Sequence, residues 1–113
     1  MIIEKVIRDY LSAQLDCPVY ADMPETLPER CVLVEKTGSG CENYIRSAMI
    51  ALQSYGKSLY EAAQLNEQVK DAMDNAIRLD CICSSSLNSD YPFNDDSNKR
   101  HRYQAVYDIV HYS

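Results

Sequence analysis

The sequence is poor in several residue types that would point to a particular class of protein. Its 113 residues include no tryptophan, one phenylalanine and only three glycines. Lys and Arg number 11 against 17 Asp and Glu, which gives a formal charge of −6. Because nucleic-acid binding depends on neutralising phosphates with basic side chains, this balance disfavours a DNA- or RNA-binding module.

Long apolar runs are also missing. The longest, over residues 48–52, is far shorter than the ~20 residues of a membrane-spanning helix. The first 15 residues carry Glu4, Arg8 and Asp9 within their apolar pattern, which is not typical of a signal peptide. The five cysteines form no Cys-x-x-Cys pair, so we expect free, mostly buried thiols and a reducing compartment. These features predict a soluble, acidic, intracellular domain with no membrane partner.

Amphipathic and β-rich segments follow one another along the chain. Apolar residues at helical spacing predict one helix over residues 2–15 and a second over residues 58–78. The second opens with a capping box, in which Ser58 accepts from the amide of Glu61 and the Glu61 carboxylate accepts from the amide of Ser58. Segments rich in β-branched and aromatic residues predict five strands, over residues 19–21, 31–36, 44–55, 81–88 and 101–112.

The element order is therefore α-β-β-β-α-β-β, within a single domain over residues 1–113. Short connections favour antiparallel pairing, so we expect an α+β fold with a single, mostly antiparallel sheet and two helices packed on one face. The strand over 44–55 is apolar on both faces, which indicates either a central strand or a subunit interface. The sheet face opposite the helices keeps Tyr and Met side chains, so we expect another structure to cover it.

Two connections carry the features that composition alone does not explain. Residues 37–43 include Gly38 and Gly40, and we expect them to form a flexible hairpin connection. Residues 89–100 form a polar tip, yet Tyr91-Pro-Phe93 places two large aromatic side chains in it. Two interpretations stay open: the tip folds back onto its own sheet, or the aromatic side chains contact another subunit.

No pattern in the sequence indicates catalysis, a metal site or a cofactor. Cys81 and Cys83, on one strand, would have Cβ atoms ~6.5–7 Å apart, too far for an unstrained disulfide, and no zinc-ligand spacing accompanies them. His101 and His111 are ten residues apart in the last strand. Residues 94–98 lack the spacing of a calcium loop. We therefore expect no catalytic residues, no bound metal, no cofactor and no enzyme.

With this order of elements, the chain resembles the tail-completion proteins of long-tailed bacteriophages and prophages, namely the tail terminator and head–tail joining proteins. The resemblance covers essentially the whole chain and rests on three stretches. They are Pro28–Gly38, a proline-led strand that ends in a glycine turn; Ala48–Ala63, a strand that runs into a capped helix; and Leu87–Phe93 with Lys99–Val110, a hairpin that closes on an aromatic strand.

The resemblance implies a structural virion protein. Such proteins form a ring, commonly a hexamer, at the head-proximal end of the tail, where they stop growth of the tail tube and bind the neck. The implied partners are copies of the chain itself, the tail-tube protein and the neck or head-completion proteins. The implied location is the tail–neck junction of the virion, and the host cytoplasm during assembly. DNA would pass through the ring without sequence-specific binding, which suits the net negative charge.

A ring that closes by rotation needs two different, complementary patches on each subunit. The residues that we expect to form them lie in the strand over 44–55 and in the two connections: Gly38, Gly40, Glu42, Asn43, Tyr44, Met49, Tyr91, Phe93, Asp95 and Asp96. A hypothesis of another class is a small cytoplasmic ligand-binding or regulatory α+β domain whose hairpin loops line a pocket. A third, an enzyme with a cysteine nucleophile, has no local support in the sequence.

Overall fold

The computed structural model describes residues 2–112, so residues 1 and 113 of the predicted domain lie outside the described part. One five-stranded sheet has the order β1-β2-β3-β5-β4 and carries two helices on one face. The predicted α+β class and the predicted order of elements are confirmed. The elements are α1 (Ile3–Gln14), β1 (Val19–Tyr20), β2 (Cys31–Glu42), β3 (Ile45–Gly56), α2 (Leu59–Asp74), a 3₁₀ turn (Ala76–Arg78), β4 (Ile82–Pro92) and β5 (His101–Tyr112).

The sheet is mixed rather than mostly antiparallel, because its first strand pairs in parallel. Val19 of β1 lies opposite Val32 of β2, whereas the β2–β3, β3–β5 and β5–β4 pairs are antiparallel. A tight hairpin would have forced β1 and β2 to be antiparallel. The connection over residues 21–30 is long enough to bring the chain back to the beginning of β1, so β2 runs in the same direction.

β2 and β4 are longer than the sequence predicts. β2 continues to Glu42, so residues 38–42 pair with residues 45–49 of β3 and the expected flexible connection is mostly strand. Only Asn43 and Tyr44 form the turn, although we expected Tyr44 to begin the strand. β4 likewise continues to Pro92 instead of ending at residue 88. Main-chain pairing outweighs the weak local strand preference of glycine and serine in these segments.

The main core lies between the helices and one face of the sheet. Tyr10 of α1 donates a hydrogen bond to the carbonyl of Ala72 in α2 at 2.6 Å, which holds the two helices side by side. Each buried aliphatic side chain contributes roughly 1.5–3 kcal/mol. The buried residues of this core include Ile3, Ile7 and Leu11 from α1, Leu65, Val69 and Met73 from α2, Ile50 and Leu52 from β3, and Tyr107 and Ile109 from β5.

A smaller core covers part of the opposite face. Cys31, Leu33 and Tyr55 are buried there, beneath Tyr20 and Leu27. The central position of β3 explains why it is apolar on both faces, as the sequence analysis anticipated. The expected cover of this face is provided in part by the chain's own loop over residues 21–30.

Helix α2 begins at the predicted residue but with a variant of the predicted cap. Ser58 Oγ accepts from the amide of Glu61 at 3.2 Å, whereas the Glu61 carboxylate accepts from the amide of Lys57 at 3.1 Å and not from that of Ser58. The helix ends at Asp74, four residues before the predicted end, because a 3₁₀ turn replaces its last turn. Among residues 2–112, no helix has the length and hydropathy needed to span a membrane.

Replacing Ser58 with alanine removes the side-chain acceptor at the start of α2. We expect the free energy of unfolding to fall by about 1 kcal/mol. Urea denaturation followed by circular dichroism measures the change, and Ser58→Thr, which keeps the hydroxyl, should retain most of the stability. A midpoint unchanged in the alanine variant would contradict this role for the cap.

Candidate interaction surface

The ten candidate residues fall into two groups at opposite ends of the sheet. A twelve-residue strand spans roughly 40 Å, and the molecule measures 43 × 24 × 24 Å, so the strands run along its long axis. The hairpin end, residues 38–49, carries Gly38, Gly40, Glu42, Asn43, Tyr44 and Met49. The tip end, residues 91–100, carries Tyr91, Phe93, Asp95 and Asp96, and it lies beside the last residues of β3.

A strained tyrosine forms the outermost point of the hairpin end. Asn43 and Tyr44 have φ angles of 51° and 67°, the left-handed conformations of a two-residue hairpin turn. Asparagine tolerates such a conformation, but a bulky residue in it costs roughly 1–2 kcal/mol, and glycine is the residue usually preferred at the second position. The Tyr44 side chain is 91% exposed, so no contact within the subunit offsets the strain.

Other large apolar side chains at this end of the sheet are also open to solvent. Ile45 and Met49 are exposed on β3, and Tyr112, which lies opposite Ile45 on β5, is exposed as well. Residues 39–47 are exposed on both faces of the hairpin, so this end extends past the helices. Exposed apolar side chains that cluster in this way are typical of a protein-binding surface.

The two glycines of the hairpin end do not act as a flexible connection. The register between β2 and β3 shifts between Lys36 and Gly38, after which Gly38 pairs with Met49 and Gly40 pairs with Ser47. A Cβ atom built on Gly40 would lie 3.1 Å from Ser47 Oγ, so the absence of a side chain allows this close contact between β2 and β3. Both glycines therefore belong to a paired strand, and the turn itself contains neither.

Asp95 departs from the expectation of a solvated tip. It is buried, and its carboxylate accepts hydrogen bonds from Tyr55 Oη at 3.0 Å and from Asn98 Nδ2 at 2.8 Å. The guanidinium groups of Arg100 and Arg102 lie 5.6 and 5.7 Å from the centre of the Tyr55 ring. Asp95 therefore stabilises the subunit from inside and does not belong to the exposed surface.

Arg100 joins the tip end to the loop that covers the smaller core. Its guanidinium donates to the carbonyl oxygens of Leu27 at 3.1 Å and Pro28 at 2.6 Å. Because hydrogen bonds from a charged donor are among the stronger ones, these two contacts hold the tip and the loop together. The tip end is consequently braced from within, whereas the hairpin end depends on main-chain pairing.

Tyr91 and Phe93 pack against their own sheet and are also partly exposed. Their rings meet edge to face at 5.9 Å, Arg102 lies 4.6 Å above the Phe93 ring, and Tyr91 Oη accepts from Gln104 at 2.7 Å. The pair therefore folds back onto its own sheet, yet Tyr91 remains 38% and Phe93 44% exposed. Asp96 beside them is exposed, so these three residues can still contact a partner.

An open cleft lies next to the tip end. It has a volume of about 580 Å³, and its lining includes Met23, Glu35, Gln53, Phe93 and Arg102. Gln53 donates to Gln104 Oε1 at 2.9 Å and lies 3.4 Å from Glu35 Oε2, so its amide already has partners within the chain.

The cysteines and histidines are dispersed through the fold. Burial raises the pKa of Cys31 to about 11 and also raises the pKa of Cys17, so both thiols stay protonated and are weak nucleophiles at neutral pH. Cys41 is exposed, and Cys81 and Cys83 are half-buried, with no disulfide among the five. No group of three or more His, Cys, Asp or Glu side chains within residues 2–112 is arranged to hold a metal ion.

Comparison with known proteins assigns no family. No protein-family model matches the sequence, and no curated protein is significantly similar to it.

Sequence reasoning missed two features of this surface. The cluster of Asp95, Tyr55 and the two arginines depends on the register that sets Tyr55 opposite Arg102, and that pairing joins residues 47 positions apart. Tyr112 was also missed, because only the pairing of β3 with β5 brings it next to Ile45. The polar tip and its aromatic residues were visible as an anomaly, but their internal partners were not.

Replacing Asp95 with asparagine tests the internal brace. Burial by itself raises the pKa of Asp95, but hydrogen bonds from Asn98 and Tyr55 outweigh it and leave the pKa below its ordinary value. The carboxylate therefore stabilises the fold above about pH 4, and this contribution is lost as the pH falls through the lowered pKa. We expect Asp95→Asn to lose about 1–3 kcal/mol at pH 7.

Urea unfolding at pH 7, 5 and 3 measures this effect. The difference in stability between the Asp95→Asn variant and the wild type should be largest at pH 7 and should shrink by pH 3. Asp96→Asn is the matched control, because that neighbouring carboxylate is exposed and its loss should change stability little. Equal pH profiles for the wild type and the Asp95→Asn variant would contradict the proposed brace.

Proposed function

We propose that this chain is a structural subunit of a bacteriophage or prophage tail, which ends the tail tube and joins it to the head as part of a ring such as a hexamer. It would act without catalysis at the tail–neck junction of the virion, after assembly in the host cytoplasm. The layout of strands and helices, which resembles the tail-completion proteins, supports this proposal. Its partners would be copies of itself, the tail-tube protein and the neck or head-completion proteins.

The exposed Tyr44 is the observation that carries the proposal. A tyrosine in a left-handed turn destabilises the subunit, and its ring makes no internal contact that would compensate. Burial of that ring against a partner would provide the compensating free energy, and tyrosine is among the residues enriched in interfaces. Ile45, Met49 and Tyr112 extend the same surface.

The difference between the two ends of the molecule also supports the proposal. The hairpin end presents exposed apolar side chains, while the tip end presents Tyr91, Phe93 and Asp96 on an internally braced segment. A protein that joins a tube to a neck must bind two different partners, and two unlike surfaces about 40 Å apart suit that task. The net charge of −6 would also let DNA pass through a ring without being retained.

Tube length measures the proposed activity directly. The tail-tube protein from the same genome, polymerised alone, should give tubes of open-ended length, and addition of this chain should cap one end and limit growth. Electron microscopy of negatively stained tubes gives the length distribution and the position of the bound chain. Tubes that grow equally long at any concentration of the chain, with no density at either end, would contradict the proposal.

Replacing Tyr44 with glycine separates the stability of the subunit from its binding. We expect the free energy of unfolding of the monomer to rise by about 1 kcal/mol, since glycine adopts the turn without strain. We also expect capping of tubes to weaken at least tenfold, because the exposed ring is lost. Thermal unfolding and the length assay report the two effects.

Tyr60→Ala is the matched control for the glycine variant, because Tyr60 is also exposed, at 72%, but lies in the first turn of α2, at the opposite end of the sheet from Tyr44. It should cap tubes as well as the wild type. A Tyr44→Gly variant that is more stable and caps tubes normally would remove the hairpin end from the interface.

The open cleft near Gln53 favours a second candidate function, a small cytoplasmic ligand-binding or regulatory domain. Such a protein would remain a monomer in the presence of tail tubes, and a bound metabolite would raise its melting temperature. The length assay and light scattering across a concentration range therefore distinguish the two candidates.

A further inference from the structure

The sheet has a free edge on each side, because the short β1 covers only part of β2 and no strand lies outside β4 within residues 2–112. β1 pairs only with Val32 and Leu33, so residues 34–42 of β2 have no strand beside their outer edge within the described part of the chain. β4 is the last strand on the other side, and over residues 82–92 it pairs with β5 alone. Each free edge is roughly 30 Å long and presents unpaired amides and carbonyls.

The hydrogen-bonding pattern identifies the outward-facing groups. Glu42 and Ile45 flank a two-residue turn and close it as a hydrogen-bonded pair, so the main chain of Cys41 points outward, and that of Ser39 does so as well. On β4, the amide of Phe93 donates to the carbonyl of Arg102, so the preceding residue, Pro92, faces outward. A proline is tolerated in a strand where its missing amide would have faced an open edge, which fits this position.

The β4 edge carries Pro92 and two register shifts, which protect an exposed strand in part, but it has little charge to repel an approaching strand. Natural edges carry inward-pointing charges, lysines or a covering segment. β4 contains no Lys or Arg, and its only charged residue, Asp90, is held by Lys70 at 2.9 Å. Leu87 on the same strand is exposed. The outer part of β2, residues 37–41, is uncharged as well, so these two edges can approach one another without repulsion.

We propose that the subunits of the ring join by antiparallel pairing of the free β2 edge of one copy with the free β4 edge of the next, which continues the sheet from copy to copy. β2, β3, β5 and β4 alternate in direction, so β2 and β4 run in opposite directions. Rotation of a copy about an axis parallel to the strands therefore brings its β2 antiparallel to the β4 of its neighbour. The contact joins unlike edges, so it repeats until the rotation closes a ring.

This arrangement rests on the proposed function, which requires the subunits to associate with one another. The edge pairing names the contact through which they would associate. It leaves the hairpin end and the tip end on the two opposite faces of the ring, where the tube and the neck would bind. If the two free edges overlap fully, Glu42 lies near Ile82 of the neighbour, and Cys41 lies beside Cys83. Residues directly opposite one another in an antiparallel pair have Cβ atoms about 4.5–5.5 Å apart, so light oxidation can cross-link those thiols.

The cross-linking experiment uses the chain bound to capped tubes, after rings have been counted by electron microscopy. Copper–phenanthroline with air oxidises the thiols, and a non-reducing gel should show a ladder from dimers up to the ring size. Cys41→Ser and Cys83→Ser should each abolish the ladder. Dimers alone that persist in Cys83→Ser would reveal a symmetric contact between two β2 strands and would overturn the proposal.

Replacing Ser39 with proline tests the same contact without cross-linking. Ser39→Pro removes an outward amide and places a ring against the neighbouring strand, while the β2–β3 hydrogen bonds remain, so the monomer should fold and its association should weaken at least tenfold. Ser39→Val keeps the amide and should associate like the wild type. The edge pairing would be overturned, and the proposed function left intact, if Ser39→Pro formed rings normally and the wild-type rings gave no cross-linked ladder. A wild-type chain that never caps tubes would instead contradict the proposed function itself.

Discussion

The mismatch in length between the strands and the helices determines the shape of this protein. β2, β3 and β5 each have 12 residues and span roughly 40 Å, whereas α1 has 12 residues and α2 has 16, which corresponds to about 18 and 24 Å. The helices therefore cannot cover the sheet along its whole length. The helices do not cover the hairpin end, so the apolar side chains on its paired strands are exposed to water.

The two ends of the sheet are stabilised in different ways, and this difference suits different roles. At the tip end, Arg100 and Arg102 enclose Tyr55, and buried Asp95 accepts hydrogen bonds that fix the tip. At the hairpin end, the turn places Tyr44 in a strained conformation without any such support. A braced end provides a rigid docking face, and a strained exposed residue is typical of a site whose binding partner completes it.

Much of the fold could be predicted from local sequence patterns, and the site only in part. The apolar spacing of Ile3, Ile7 and Leu11 identified α1 and its buried face, and Ser58 marked the first turn of α2. The parallel pairing of β1, the turn at residues 43 and 44 and the burial of Asp95 were not predicted. Each of these depends on which strands pair and in what register, and that choice is made by contacts between residues far apart in the chain.

We propose that neighbouring subunits and partners complete this subunit, both along the strands and at their ends. Electron cryomicroscopy of tail tubes assembled with this chain tests it most directly. We expect a closed ring at one end of each tube, with the strands parallel to the tube axis and with the hairpin and tip ends on opposite faces of the ring. Single copies scattered on the tube, or a ring in which the helices rather than the ends of the sheet contact the tube, would contradict it.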